Sequence, residues 1–336
     1  MKLRLEPKDE YMHALEEAKN FNESMYFNVY DPQARLGGFF RIGNRANESY
    51  AEVTNCLYLP DGTVAFMFGR PTISNNDSFS AGGMRFDVVE PFKELKVGYK
   101  GKVVHLKKPL EMAEPRKAFK ENPWLDCEVS LTYKGASPMY GGEPVSDDDT
   151  PLIETDHQEG FARGHYEQHV AGEGTIRVGE KSWNISGYGL RDHSWGPRYW
   201  QSPWWYRWLT ANFGADFGFM VSIVTGKDGS QRVGGMILEN GRYEMIRKAS
   251  IASEWQGEAK YHQNILCRAS TDKGEYEIRG KVLSLIPLRN RREGPGGEEL
   301  VTRISEGLTE WSCRGRTGYG LSEYLDQIVG GAPVGL

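Results

Sequence analysis

Asp-Gly and Asn-Gly dipeptides placed between apolar runs constrain the fold of this chain more than any other feature. They occur at Asp61-Gly62, Asp228-Gly229 and Asn240-Gly241. Such pairs are the strongest short-range signal for a two-residue β-hairpin, because both residues tolerate the left-handed backbone that the turn needs. The sequence therefore predicts antiparallel strands joined by tight turns.

Composition supports the same fold class. The 336 residues include 40 glycines and 12% aromatic residues, which is typical of strand-and-turn proteins. The run Tyr276–Ile286 alternates apolar and polar residues as a strand does. One helix is predicted over Asp9–Phe21, where Tyr11, Leu15 and Ala18 follow helical spacing. An all-β fold with few short helices is expected, and a parallel α/β fold is not.

A weak internal repeat predicts two domains. An aromatic run, Ser24–Tyr30, precedes the glycine-bearing run Gly37–Gly43, and Ser202–Trp208 precedes Gly214–Ile223 in the same order. Together with the chain length, this favours two similar antiparallel β domains. We place them at residues 1–197 and 198–336.

Charge and hydropathy exclude some partners. The 41 basic residues are outnumbered by 46 acidic ones, so there is no electrostatic case for nucleic acid as the main partner. The polar N-terminus and the lack of a long apolar run predict a cytoplasmic protein with no stable membrane insertion. Four scattered cysteines indicate reduced thiols, and the acidic run at 143–156 indicates a solvated loop.

The segment 187–200 is the densest in chemically active side chains. In an extended strand, Asp192 shares a face with Tyr188, while His193 shares the other face with Arg191 and Trp195. Asp192 is the candidate acid, with His193 beside it as a tuning group or base. The alternative is a structural junction in which Arg191 pairs with Asp192.

A second cluster lies at residues 161–169. As a strand it places Arg163, His165, Glu167 and His169 on one face. This face either meets water or lines a polar pocket with Asp192. A metal held by His165, His169 and His193 is conceivable, but no known ligand spacing is present, so no metal is expected.

Two further groups are candidates for substrate binding. The tryptophans at 204 and 205 either fill the core or line an apolar cavity. The tail around Gly320 is expected to form a short helix that closes a barrel end, with Tyr319 and Glu323 one turn apart. Glu323 then either packs there or reaches a pocket as a second carboxylate.

The run Asp192-His193-x-Trp195-Gly196 resembles the signature of two-domain lipocalin-like proteins. That superfamily includes the bacterial carotenoid hydratases, fungal lipocalin-like Diels–Alderases and proteins like kievitone hydratase. The resemblance implies two consecutive β-barrels, a ligand pocket, no metal or organic cofactor, and an acid role for Asp192. Leu190 stands where the signature has a tyrosine.

These observations lead to one main hypothesis with alternatives. We expect a hydratase or dehydratase that protonates a C=C bond of a small hydrophobic terpenoid, polyketide or aromatic substrate without a cofactor. A cyclase or isomerase, and a lipocalin-like carrier without turnover, remain open, as does a homodimer. The catalytic candidates are Asp192, His193, His165 and Glu167. The substrate-binding candidates are Tyr188, Trp195, Trp204, Trp205, Tyr319 and Glu323.

Overall fold

The computed structural model describes residues 2–152, 161–294 and 296–336. Over this part of the chain the protein is built almost wholly of antiparallel strands in two sheets, which confirms the predicted all-β class. The first sheet contains strands β1 to β12, and the second contains β13 to β22.

The strands of the first sheet are β1 Lys2–Arg4, β2 Phe21–Asp31, β3 Leu36–Arg45, β4 Tyr50–Tyr58, β5 Val64–Gly69, β6 Ser80–Ala81, β7 Met84–Glu90, β8 Glu94–Leu106, β9 Trp124–Gly135, β10 Tyr140–Val145, β11 Gly164–Val178 and β12 Lys181–Pro197. Those of the second are β13 Trp205–Asn212, β14 Phe217–Thr225, β15 Gln231–Glu239, β16 Arg242–Met245, β17 Lys248–Gln256, β18 Tyr261–Thr271, β19 Gly274–Glu293, β20 Glu299–Cys313, β21 Arg316–Val329 and β22 Ala332–Pro333. Helical turns occur at Pro7–Glu10, Ala46–Glu48 and Pro109–Ala113 as 3₁₀ helices and at Pro115–Glu121 as the α-helix α1.

The chain forms two compact units. Unit 1 contains the residues up to Lys107 and Glu121–Tyr199, and unit 2 contains Lys108–Lys120 and Trp200–Leu336. Most of α1 therefore belongs to unit 2 although it interrupts unit 1 in the sequence. Nothing in the sequence pattern marks that excursion.

In unit 1 the strand pairings form a closed circuit. Strand β2 pairs with β3, and the ladder continues through β4, β5, β8, β9, β11 and β12, which pairs again with β2. The side chains on the inner side of this circuit form the apolar core, with Phe27, Phe40, Val53 and Tyr133 among its fully buried members. We call the side of the sheet that faces this core the inner face of unit 1, and the opposite side its outer face.

Unit 2 is a sheet in the order β16-β15-β14-β13-β21-β20-β19-β18-β17, with β22 beside β21. Its core is apolar and aromatic, and includes Phe219, Ile278 and Trp311. The meander β13 to β16 repeats the meander β2 to β5, and β21 pairs with β13 as β12 pairs with β2.

All three predicted hairpin turns are present. Asp61-Gly62 joins β4 to β5, Asp228-Gly229 joins β14 to β15, and Asn240-Gly241 joins β15 to β16. Asn240 and Gly241 both have positive φ, at 51° and 76°, which is the conformation that a two-residue hairpin turn requires. In the repeat, it is the turn at 240–241 that corresponds to the one at 61–62.

The predicted helix over Asp9–Phe21 is wrong. A 3₁₀ helix covers Pro7–Glu10, and β2 already begins at Phe21. Backbone carbonyls of the intervening segment bind a side chain from elsewhere in the chain, because the side-chain amide of Asn47 donates to the carbonyls of Glu16 and Ala18. Of the expected apolar stripe, Tyr11 and Leu15 are exposed and Ala18 alone is buried.

The predicted tail helix is also wrong. Residues Arg316–Val329 form β21, which pairs with β13 and β20. A Cβ atom at Gly320 would lie 2.0 Å from the carbonyl oxygen of Thr210, so glycine here permits close strand approach. The two glycines that flank Tyr319 are strand residues and not helix boundaries.

The remaining sequence expectations concern the surface and the thiols. All four cysteines are free and buried. In the acidic run, residues 146–150 are exposed or half-buried, whereas 153–156 lie outside the described residues. Within the described ranges, no helix has the length and apolar character needed to cross a membrane.

Candidate functional site

Strand β12 presents its signature residues on two opposite faces. His193 lies opposite Met25 of β2, a member of the unit 1 core, so His193 is on the inner face with Arg191 and Trp195. Asp192 points the other way, to the outer face. The predicted alternation is therefore present, and it separates Asp192 from His193.

On the inner face, Arg191 is held by Glu10. Its two terminal nitrogens donate to the two Glu10 carboxylate oxygens at 2.6 and 2.8 Å, and both side chains are fully buried. Its Nε donates to Oε1 of Gln168 at 2.9 Å. Arg191 therefore pairs with Glu10 and not with Asp192, which overturns the structural alternative drawn from the sequence.

His193 lies between the carboxylate of Glu23 and the hydroxyl of Tyr166 on the same face. Its Nε2 lies 2.9 Å from Oε1 of Glu23, and its Nδ1 lies 3.1 Å from the hydroxyl of Tyr166. That hydroxyl donates to Glu10 at 2.6 Å, so it accepts from His193. Both ring nitrogens of His193 therefore contact neighbours on the inner face, and neither is directed to the outer face where Asp192 lies.

His13 and Trp195 complete the inner cluster. His13 Nδ1 lies 2.7 Å from Oε1 of Glu23, and its ring stacks on Trp195 with centroids 4.0 Å apart and planes 13° from parallel. Trp195 is buried, with 4% of its surface exposed. It is thus a packing partner for the segment before β2 and does not line an open pocket.

The inner carboxylates are strongly stabilised as anions. Burial raises the pKa of Glu23, but hydrogen bonds and charge from His13 and His193 outweigh it and lower that pKa to about 2. Burial likewise opposes ionisation of Glu10, yet the Arg191 guanidinium and the hydroxyl of Tyr166 hold its pKa below the usual range. Burial raises the pKa of Tyr166 well above its ordinary value. The inner face is therefore a fixed network of paired charges.

The end of the signature is fixed by Gly196. Its φ is +114°, and a Cβ atom there would lie 2.7 Å from the backbone nitrogen of Arg163. Only glycine accepts both conditions without strain. The adjacent carbonyl of Trp195 accepts from the Arg163 backbone N–H at 2.8 Å, which ties the end of β12 to the start of β11.

The outer face brings together Asp192, Glu167 and His165. Glu167 of β11 lies directly opposite Asp192, so their Cβ atoms are about 4.5–5.5 Å apart. His165 Nε2 lies 3.7 Å from Oδ2 of Asp192. Asp192 is partly exposed at 22% of its side chain and His165 at 45%, whereas Glu167 is buried. Partial desolvation opposes charge on His165, but Asp192 and Glu167 outweigh it and raise its pKa.

Arginines flank this cluster on the same face. Tyr26 lies opposite Asp192 on β2, and Arg41 lies opposite Tyr26 on β3. Arg198, just beyond β12, donates to the hydroxyl of Ser194 at 2.8 Å. Burial and the charge of Arg41 lower the pKa of Arg198 to about 9, while Asp192 raises it, so Arg198 keeps its charge at neutral pH. The outer face thus offers acid, base and cationic groups together.

Aromatic side chains continue the outer face beyond the charged groups. Tyr26 stacks near Phe39 with ring centroids 5.8 Å apart. Further along the strands, Tyr188 of β12 lies opposite Tyr30 of β2. Gly37 of β3 comes next and lies between Tyr30 and Tyr58 of β4. Tyr188 is four residues from Asp192, or about 13 Å along the strand. Tyr26 and Phe39 are 5% and 2% exposed, whereas Tyr188 is half-buried.

The other predicted substrate-binding residues lie in unit 2. Trp204 and Trp205 are half-buried at the start of β13, with Lys227 over the first ring and Arg207 over the second. Tyr319 donates to Glu310 at 3.0 Å, and Glu323 accepts from the hydroxyl of Tyr206. Tyr319 and Glu323 are on one face of β21 about 13 Å apart, which corrects the expected single helical turn.

Sequence reasoning missed the residues that hold the signature in place. Glu10, His13 and Glu23 lie far from β12 in sequence, and no motif marks them. Two of them fall in the segment predicted as a helix. Tyr26 and Arg41 were also missed, although the alternation of β2 places Tyr26 on the face opposite the apolar Met25 and Phe27. His165, His169 and His193 do not converge, because the first two are on the outer face and the third on the inner.

Comparisons with known proteins place the chain in a family. The family described as "Domain of unknown function (DUF7064)" matches residues 6–328. The chain belongs to this family. Curated proteins provide no match.

Solved structures share the fold at low sequence identity. A provisional AttH protein from Nitrosomonas europaea has a TM-score of 0.52 at 13% identity, over 93% of this chain and 97% of that one. CghA with Sch210972 has a TM-score of 0.50 at 11% identity, over 94% and 93%. Kievitone hydratase from Nectria haematococca has a TM-score of 0.49 at 10% identity, over 94% of this chain and 93% of that one. The likeness of this chain to the AttH-like protein and to CghA with Sch210972 is one of fold.

Proposed function

We propose that this family member is an acid–base enzyme that adds water to, or removes it from, a C=C bond of an apolar molecule with a polar end. The observation that supports this is the division of β12. The signature side chains His193 and Trp195 are anchored inside unit 1, whereas Asp192 is presented on the outer face beside Glu167 and His165.

The reaction starts with protonation of the alkene. Asp192 delivers its proton to one alkene carbon, and the C–H bond forms as the π bond breaks. The cation left on the neighbouring carbon is stabilised by the faces of Tyr26 and Phe39, since aromatic rings stabilise a desolvated cation by about 2 kcal/mol. A general acid of this kind contributes about 10²–10⁴-fold to the rate.

Water then adds to the cation. Its oxygen forms the C–O bond, and Glu167 or His165 takes the released proton and returns it to Asp192 through solvent. His193 does not take this part, because it lies on the inner face with both ring nitrogens engaged. Atoms and charge balance without any electron transfer.

The same groups also support isomerisation. If the base removes a proton from a carbon next to the cation, the double bond moves and no water enters the product. The aromatic rows of the outer face, which hold an apolar chain in one conformation, favour this second candidate and a cyclisation that begins in the same way.

Isotopically labelled water distinguishes these reactions. The protein is incubated with isoprenoid alkenes, unsaturated polyketides and prenylated phenols in H₂¹⁸O and in D₂O. Mass spectrometry then measures the isotope content of the products. A hydratase gives ¹⁸O and deuterium in the product, and an isomerase gives deuterium alone. Compounds that raise the melting temperature but acquire neither label would show a carrier, and would contradict the proposal.

A further inference from the structure

We propose that His13, Glu23 and His193 form a structural binding site for a divalent transition-metal ion of the zinc class. The nitrogen and oxygen atoms that these residues offer lie within 4.8 Å of one another. His13 Nδ1 and His193 Nε2 lie 2.7 and 2.9 Å from the same oxygen, Oε1 of Glu23. Two imidazoles and one carboxylate are a ligand set that zinc and similar ions accept.

The second oxygen of Glu23 is fixed independently. Oε2 accepts from the side-chain amide of Asn76 at 2.8 Å and from the backbone N–H of His13 at 2.8 Å. Asn76 is held in turn by Asn44 at 3.2 Å. The carboxylate is therefore oriented so that Oε1 is directed between the two imidazoles.

Each imidazole also has an acceptor behind it. The far nitrogen of His193 meets the hydroxyl of Tyr166, which donates to Glu10. The far nitrogen of His13 lies 3.5 Å from Oδ1 of Asp9, which is within ion-pair distance but is not a hydrogen bond. Metal-bound histidines almost always donate their second N–H to such an oxygen, which sets the tautomer and leaves the near nitrogen as a lone pair for the ion.

Charge balance is satisfied with a divalent ion present. The anions of the cluster are Asp9, Glu10 and Glu23, and Arg191 supplies one positive charge. Two neutral imidazoles and a dication supply the rest.

Binding an ion requires the two imidazole nitrogens to move away from Oε1 of Glu23. Ligand atoms about 2.1 Å from a tetrahedral ion lie roughly 3.4 Å apart, so the nitrogens, now at 2.7 and 2.9 Å, would move by about 0.7 and 0.5 Å. His13 is 21% exposed, so an ion and a water ligand can reach the site from that side. Bound there, the ion would join the segment before β2 to β12.

The proposal is tested by cobalt binding. Protein stripped with EDTA and dialysed is titrated with Co²⁺, whose visible absorption reports coordination number and ligand type, and Zn²⁺ is then added as a competitor. The wild type is expected to bind one ion with a tetrahedral or five-coordinate spectrum. His13→Gln and Glu23→Gln should each weaken binding at least tenfold.

Controls keep folding and binding apart. His105→Gln is the matched control, because His105 is a partly buried histidine of unit 1 that bonds to Thr63 at 2.8 Å. It should bind cobalt as the wild type does. Near-ultraviolet circular dichroism verifies folding, and His13→Gln is the safest variant since His13 is partly exposed and outside any strand.

Two results would overturn the site: a wild type that binds no ion, or a His13→Gln variant that binds as tightly as the wild type. The cluster would then hold protons only. Neither result bears on Asp192, which is on the other face of β12.

Discussion

Removing the charge of Glu10 should destabilise unit 1 strongly while leaving the outer face chemically intact. Glu10 accepts from two Arg191 nitrogens, the Tyr166 hydroxyl and the backbone N–H of Phe92, all between 2.6 and 2.8 Å. Glu10→Gln keeps the shape but leaves the fully buried guanidinium without its counter-ion. Such a loss costs about 3–5 kcal/mol.

The assay is thermal and urea unfolding followed by circular dichroism. For a unit of this size each kcal/mol lowers the melting temperature by about 2–4 °C, so Glu10→Gln should melt about 6–20 °C early. Adding Arg191→Met should restore much of the loss, because an apolar pair can replace a buried ion pair at little cost. Asp272→Asn, which breaks the exposed pair with Arg247, should leave the melting temperature unchanged.

A loss below about 1 kcal/mol for Glu10→Gln would refute this reasoning. A double variant less stable than either single variant would do the same. Either result would mean that the inner network does not anchor β12.

Two further predictions concern other buried groups. Burial and the charge of Arg207 lower the pKa of His262 to about 3. Between about pH 6.5 and pH 3, His262 is therefore protonated in the unfolded chain and neutral in the folded one. The contribution of His262 should lower the free energy of unfolding by up to about 1.4 kcal/mol for each pH unit of decrease in that window. The unfolding free energy of His262→Gln, measured at pH 7, 5 and 4, should depend less steeply on pH than that of the wild type. Gly196→Ala should lower the free energy of unfolding by about 1–3 kcal/mol, because φ of +114° and the contact with Arg163 both exclude a side chain. Urea unfolding measures this loss, with Gly229→Ala as the control. Gly229 also has a positive φ but has open surroundings, so the difference between the two variants is the cost of the clash.

Local patterns predicted the strands and turns well for a physical reason. Alternation and the Asp-Gly and Asn-Gly turns are properties of a few neighbouring residues, so the hairpins at 61–62, 228–229 and 240–241 could be inferred without any partner. Alternation also predicted that Asp192 and His193 point to different sides of β12. It predicted in the same way that His165 and Glu167 share a face.

The errors arose where distant residues decide the local structure. The segment 11–20 has helical spacing, but the side chain of Asn47 binds two of its carbonyls. Next to and within this segment, Glu10 binds Arg191 and His13 binds Glu23. The tail at 316–329 has a glycine on each side of Tyr319, which resembles a turn, yet its backbone is satisfied by two neighbouring strands. The partners of Arg191 and His193 could not be predicted, because no spacing links residues 10 and 23 to residues 191 and 193.

The substitution Asp192→Asn tests whether Asp192 is the proton donor. It keeps the shape of the side chain and removes the proton that the alkene would receive. On a substrate found with labelled water, we expect a turnover number lower by about 10²–10⁴-fold and a melting temperature close to that of the wild type. The exposed Asp126→Asn, which loses an ion pair with Lys102, should match the wild type in both. An Asp192→Asn variant that melts early but keeps its specific activity at low temperature would show that Asp192 is structural, and would move the catalytic role to His165 and Glu167.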